Sequence, residues 1–165
     1  MMENENVTTH QVDPIKLDRL LLWADALDSG TYNQTTGVLM EMSHNASTPT
    51  YCCLGVMCEI LPKAGCTDDE MLQRAQYNLS QGLAEPEADI NEFFGVASTY
   101  VDPSDDLMSS ILDETLDTYK PYKYLDRRLF ITLNDEANWD FNQIANFIRT
   151  VVQKIKESQG EPSAN

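Results

Sequence analysis

The sequence predicts an α+β fold: a mostly helical single domain in which one small antiparallel β-hairpin, about residues 38–42 and 50–53, packs against helices. Three observations carry that expectation. Residues 51–61, YCCLGVMCEIL, hold three of the four cysteines and one charge, Glu59, and pass from β-prone to helix-prone side chains. A helix start is written twice in the same form, Asp13-Pro14 and Asp102-Pro103, an N-cap carboxylate followed by proline at the first helical position. Apolar residues then recur at helical spacing after both starts, and again over residues 141–155.

Taken in order, residues 1–12 have few apolar groups and read as a flexible lead to a domain spanning 13–158, with 159–165 as a frayed tail. From Asp13, the stripe Ile15, Leu17, Leu20, Leu21, Trp23, Ala24 and Leu27 predicts a helix stopped by Gly30, with Trp23 as a core anchor. Residues 28–37 are polar and turn-rich. Residues 38–42 and 50–53 form the expected hairpin, whose second arm runs straight into a short helix ending near Pro62; Gly55 allows close backbone approach at that junction. Thr67 with Glu70 reads as a capping box for a helix reaching Ser80. Residues 86–95 give a short helix closed by glycine, with Ile90, Phe93 and Phe94 inward. The helix from Asp102 buries Leu107, Met108, Ile111, Leu112 and Leu116. Tyr119, Pro121, Tyr122 and Tyr124 follow as an aromatic link. A helix over about 125–133 then meets a polar break at 134–138. Asp140 caps the last helix, whose inward face is Phe141, Ile144, Ala145, Phe147, Ile148, Val151, Val152 and Ile155.

Charge is the strongest global feature. The net charge is −16, and it is unevenly placed. Residues 64–119 hold 13 acids against one base, Arg74, while residues 120–165 hold 6 acids against 7 bases. Such a field repels nucleic acid and anionic membrane and attracts basic protein surfaces. No run approaches the roughly 20 apolar residues of a membrane helix. The N-terminal stretch lacks the basic start and apolar core of a secretory signal, so a cytoplasmic chain with reduced thiols is expected.

The candidate sites follow from these patterns. Adjacent Cys52 and Cys53 on a strand point to opposite faces and make poor joint zinc ligands, so the cysteines are expected in the core and no metal or cofactor is expected. Cys53 near a helix start is the one candidate nucleophile, but its possible bases are only His10 and His44. Neither GxxxxGK[ST] nor GxGxxG occurs. Asp68-Asp69 and Asp105-Asp106 have the charge for Mg²⁺, although adjacent acids on a helix are more simply a solvated face. Asp102, Asp106, Asp113 and Asp117 recur on one helix face. Together with Asp105 and Glu114 they suggest an acidic, DNA-mimicking surface that contacts a basic partner protein. A second reading takes Tyr32, Asn33, Gln34, Thr35, Thr36 and Trp139 as a polar pocket for a small ligand such as a nucleotide signal. A third is a cysteine-dependent enzyme using Cys53.

Residues 20–39 (LLLWADALDSGTYNQTTGVL), 51–61 and 133–148 (LNDEANWDFNQIANFI), with a weaker match at PEADINEFFGVAS (86–98), resemble a family of small, uncharacterised bacteriophage proteins. The resemblance implies a phage-type accessory protein acting in the host cytoplasm, and brings no catalytic residues with it. The acidic stretch around 102–122 departs from the family pattern and reads as an elaboration. The expected function is therefore a non-enzymatic protein that binds and inhibits or redirects a host nucleic-acid-handling or defence protein, with no direct contact to nucleic acid.

Overall fold

A computed structural model describes residues 12–42, 47–97 and 125–160. The expected helix at Asp102-Pro103, the aromatic link, His10 and His44 lie outside them. The order of elements is α1 (Pro14–Asp28), β1 (Asn33–Gln34), β2 (Met40–Glu41), β3 (Thr50–Tyr51), α2 (Cys53–Glu59), α3 (Asp69–Ser80), α4 (Ala88–Phe93), α5 (Arg127–Ile131), a π-helical turn (Thr132–Glu136) and α6 (Phe141–Ser158). The architecture is the expected one: a mostly helical α+β domain around a small sheet.

Helices α1 and α6 form the main packed pair. Asp13 accepts from the Ile15 N–H at 2.9 Å with Pro14 at the first turn, and Asp140 and Gln143 close a reciprocal capping box at 2.8 and 2.9 Å. These caps fix where each helix starts, and hence which face meets the other. Leu17, Leu20, Trp23, Ala24 and Leu27 of α1 are buried, as are all eight apolar positions expected on α6. Each large side chain among them contributes about 1.5–3 kcal/mol by leaving water. Arg149 joins Asp25 and Asp28 across the helix pair at 2.7 Å each, an exposed bridge worth under about 1 kcal/mol.

The sheet has the order β1-β3-β2. The hairpin is present, with Met40 opposite Tyr51 and Glu41 opposite Thr50, but its strands are two residues long. Cys52 and Cys53, expected on the second strand, belong to the helix instead. Cys52 is the N-cap of α2, its sulfur accepting from the Gly55 N–H at 3.4 Å, and Cys53 is the first helical residue. The sequence reading also lacked β1, which pairs parallel to β3 through Asn33–Thr50 and Gln34–Tyr51.

Gly55 behaves as expected. A β-carbon there would stand 1.8 Å from the Leu39 carbonyl oxygen, so the strand backbone lies directly on the helix. Two boundaries differ from expectation. The cap of α3 is Asp68 rather than Thr67, because the carboxylate reaches the N–H groups of both Glu70 and Met71, at 3.0 and 3.1 Å. The break expected at 134–138 is largely helical, since α5 continues into the π turn before Asn138 takes a positive φ of 53°. On α4, Ile90 and Phe94 are buried as expected, while Phe93 is half-buried beneath the Arg19 guanidinium, 3.5 Å from its ring centroid.

Candidate functional site

The junction between sheet, α2 and π turn is built on one side chain, Asn134. It is 1% exposed, in the middle of the π turn. Its amide oxygen accepts from Gln34 Nε2 at 2.9 Å and from the Cys53 N–H at 3.2 Å. Its amide nitrogen donates to the Thr35 carbonyl at 2.9 Å and to Asp135 Oδ1 at 2.6 Å. One buried amide thus ties β1, the start of α2 and the π turn together. Gln34 Nε2 also donates to the Trp139 carbonyl at 2.8 Å. Trp23 braces the far side of the junction: its indole N–H donates to the Cys53 carbonyl at 2.9 Å, and its ring lies edge-on to Phe130.

This geometry gives the residues expected to line a ligand pocket a structural role. Gln34, Thr35 and Trp139 are half-buried, and the Gln34 amide N–H groups, the Thr35 carbonyl and the Trp139 carbonyl are engaged within the protein. Tyr32 packs edge-on to Tyr51 at 5.4 Å. Asn33 and Thr36 face solvent. Of the six, Gln34 and Thr35 bond Asn134 directly and Trp139 joins them through its carbonyl to Gln34. Sequence reasoning missed Asn134 because its partners stand 81 to 100 residues away along the chain. The only signal was an isolated amide following the apolar run of 129–133.

All four cysteines are buried and unpaired in disulfides. Burial pushes the Cys52 thiol up to about 11 and those of Cys53 and Cys58 well above the ordinary range. Cys53 is 0% exposed, and its sulfur contacts the Phe130 carbonyl at 3.6 Å. Such a thiol is a core side chain, with little thiolate at neutral pH to serve as a nucleophile. Among the described residues, no three His, Cys, Asp or Glu side chains gather in a group that could hold a metal ion.

The acids Asp102, Asp105, Asp106, Asp113, Glu114 and Asp117 lie outside the described residues. The described residues on either side of that stretch pair with each other. The Ala97 N–H donates to the Leu125 carbonyl at 2.7 Å and the Arg127 N–H to the Ala97 carbonyl at 3.0 Å. The described acids of the same third of the chain divide in two. Arg127 and Arg128 approach Glu85 at 3.1 and 4.0 Å. Arg74 bridges Asp89 and Glu87; its Nε is 2.6 Å from Glu87, an ionic contact whose N–H is not aligned for a hydrogen bond. Asp69, Glu70 and Glu92 are exposed and form no ion pair among the described residues.

Fold and site together define an α+β domain with a hydrogen-bonded junction around a buried amide and an acidic flank. The chain belongs to the family described as a domain of unknown function, DUF8296, which matches residues 18–152. No curated protein and no solved structure matches it. No helix among the described residues is long and apolar enough to cross a membrane.

Proposed function

We propose that this chain is a non-enzymatic, cytoplasmic accessory protein of bacteriophage type that inhibits or redirects a host nucleic-acid-handling or defence protein by occupying its basic surface. The observation that carries the reading is the charge of residues 64–119, 13 acids against one base. Folding neutralises part of that excess, at Glu85, Glu87 and Asp89, and leaves Asp69, Glu70 and Glu92 facing water. A surface of fixed carboxylates competes with the phosphates of nucleic acid for Lys and Arg, and its binding weakens with salt. The interior adds indirect support: its thiols are buried and the polar residues around Asn134 bind one another.

The test is capture of partners from host lysate on the immobilised full-length protein, followed by elution with duplex DNA and, separately, with salt. The expected result is a basic protein released by both, and no longer captured by the Asp105→Asn/Asp106→Asn/Asp113→Asn/Asp117→Asn variant. A partner that resists both eluents, or the absence of any partner, overturns the reading.

A further inference from the structure

We propose that the outer face of α3, continued by Leu83 and Met42, docks a basic protein surface with Tyr77 as its apolar anchor. This rests on the basic-partner reading above and locates a contact for it within the described fold. Among the described residues four large apolar side chains are exposed: Ile15, Met42, Tyr77 and Leu83. Ile15 stands on the first turn of α1; Tyr77 is in the last turns of α3, and Leu83, whose N–H donates to the Asn78 carbonyl at 3.1 Å, follows the end of that helix. The Leu39 N–H donates to the Leu83 carbonyl at 2.7 Å, and a β-carbon on Gly82 would meet the Met40 carbonyl at 3.4 Å. Leu39 and Met40, at the start of β2, thus lie against residues 83 and 82, and β2 runs beside α3, with Met42 directly after it. Tyr77 of α3 is 62% exposed.

The helix continues that surface. Glu70 and Tyr77 are seven residues apart, two turns, and lie on one line with Gln73; all three are exposed, while Ala75, Asn78 and Leu79 are buried. One end of the face is thus carboxylate and the other aromatic. Tyrosine and methionine are enriched at protein interfaces, because they supply a large contact area with a polar or adaptable tip.

Charge selects the occupant. Asp69 and Glu70 form no ion pair among the described residues, and Glu41, beside Met42, is exposed. Arg74, the only base of α3, is held by Glu87 and Asp89. A second copy meeting this face with the same face would bring Glu41, Asp69 and Glu70 against their own counterparts. A partner with Lys or Arg around an apolar pocket matches both the carboxylates and the ring.

The experiment uses a fluorescent helical peptide of alternating Leu and Arg pairs as probe, read by anisotropy at low and high salt on the full-length protein. Tyr77→Ala and Leu83→Ser are each expected to weaken binding roughly tenfold, and Glu70→Lys to flatten the salt dependence. Thermal melting should stay unchanged, since these side chains face water. Peptide binding untouched by Tyr77→Ala and Leu83→Ser overturns the proposal. So does a dimer in sedimentation that Tyr77→Ala dissociates, which would make the occupant a second copy. If only the Asp105→Asn/Asp106→Asn/Asp113→Asn/Asp117→Asn variant loses the peptide, the basic-partner reading stands and this surface is not the contact. If the wild-type protein does not bind the peptide at all, the docking proposal falls, and the lysate capture decides the broader reading separately.

Discussion

Two polar clusters lie inside this domain and are finished differently. At Asn134 both ends of a buried amide are used, with two donors to its oxygen and two acceptors for its nitrogen. In the layer joining α3, α4 and α5, polar groups are as deeply buried but left incomplete. Asn78 and Asp126 are 2% exposed and Asn91 is 0% exposed, and one side-chain atom in each, Asn78 Nδ2, Asp126 Oδ2 and Asn91 Oδ1, has no hydrogen-bond partner among the described residues. A satisfied buried network fixes a single arrangement, whereas an unsatisfied one gives back part of the stability that packing supplies. The first cluster holds the sheet and α2 in register. The second is where the fold has stability to gain.

The sharpest way to break the first region is Gly55→Ala. The added carbon would overlap the Leu39 carbonyl at 1.8 Å, and that atom is backbone, so the whole β2 end of the sheet must move. A loss of roughly 3 kcal/mol or more is expected, seen in chemical denaturation as a large fall in midpoint or as no folded protein. Asn134→Ala comes next. It removes the acceptor of the Cys53 N–H and the donor to the Thr35 carbonyl, at about 1–3 kcal/mol for each group left buried without a partner. The loss should appear in denaturant midpoint. Amide exchange at Cys53 should rise by more than at α6, which does not depend on the junction.

The same contrast explains what was legible in the sequence. Asp13-Pro14, the Asp140 cap, the apolar stripe of α6 and the close approach at Gly55 are local signals, and each is found in the structure. Strand β1 is two polar residues, Asn33 and Gln34, with no alternation to announce them; it exists because Asn134 and β3 hold it from far along the chain. Cys52 was assigned to a strand because its neighbours are β-prone. The N–H of Cys53 instead finds an acceptor at Asn134, and the helix starts there. Gln34, Thr35 and Trp139 carry polar atoms that a sequence can suggest for a ligand, but a sequence does not say whether such atoms face a cavity or the protein itself.

In the second region smaller effects are expected. Asp126 caps α5 through Oδ1, which accepts from the N–H groups of Arg128 at 2.8 Å and Leu129 at 3.4 Å. Asp126→Ala removes that cap and should cost about 1–2 kcal/mol, measured as a shift in denaturant midpoint.

Asp126→Asn is the finer probe, because it keeps a capping oxygen and removes only the charge. Burial is the largest influence on Asp126 and raises its carboxyl above the ordinary aspartate range, against the lowering pull of the two N–H groups and of Arg127 and Arg128. A carboxyl whose folded pKa is raised holds its proton longer in the native state than in the unfolded one. Between the two pKa values the native protein therefore binds more protons, and stability falls as pH rises through that window. Glu85 pairs with both arginines and so weakens their lowering pull on Asp126, which leaves burial the stronger influence. The Asp126→Asn variant lacks this loss, so its stability relative to the wild type should improve as pH rises above the ordinary aspartate range and level off once the native carboxyl is ionised. Comparing denaturation midpoints of the two proteins across that range cancels the titration of the other carboxylates. A constant difference would mean that the Asp126 carboxylate is as well accommodated when charged as when neutral, and that the contrast with Asn134 is one of geometry alone.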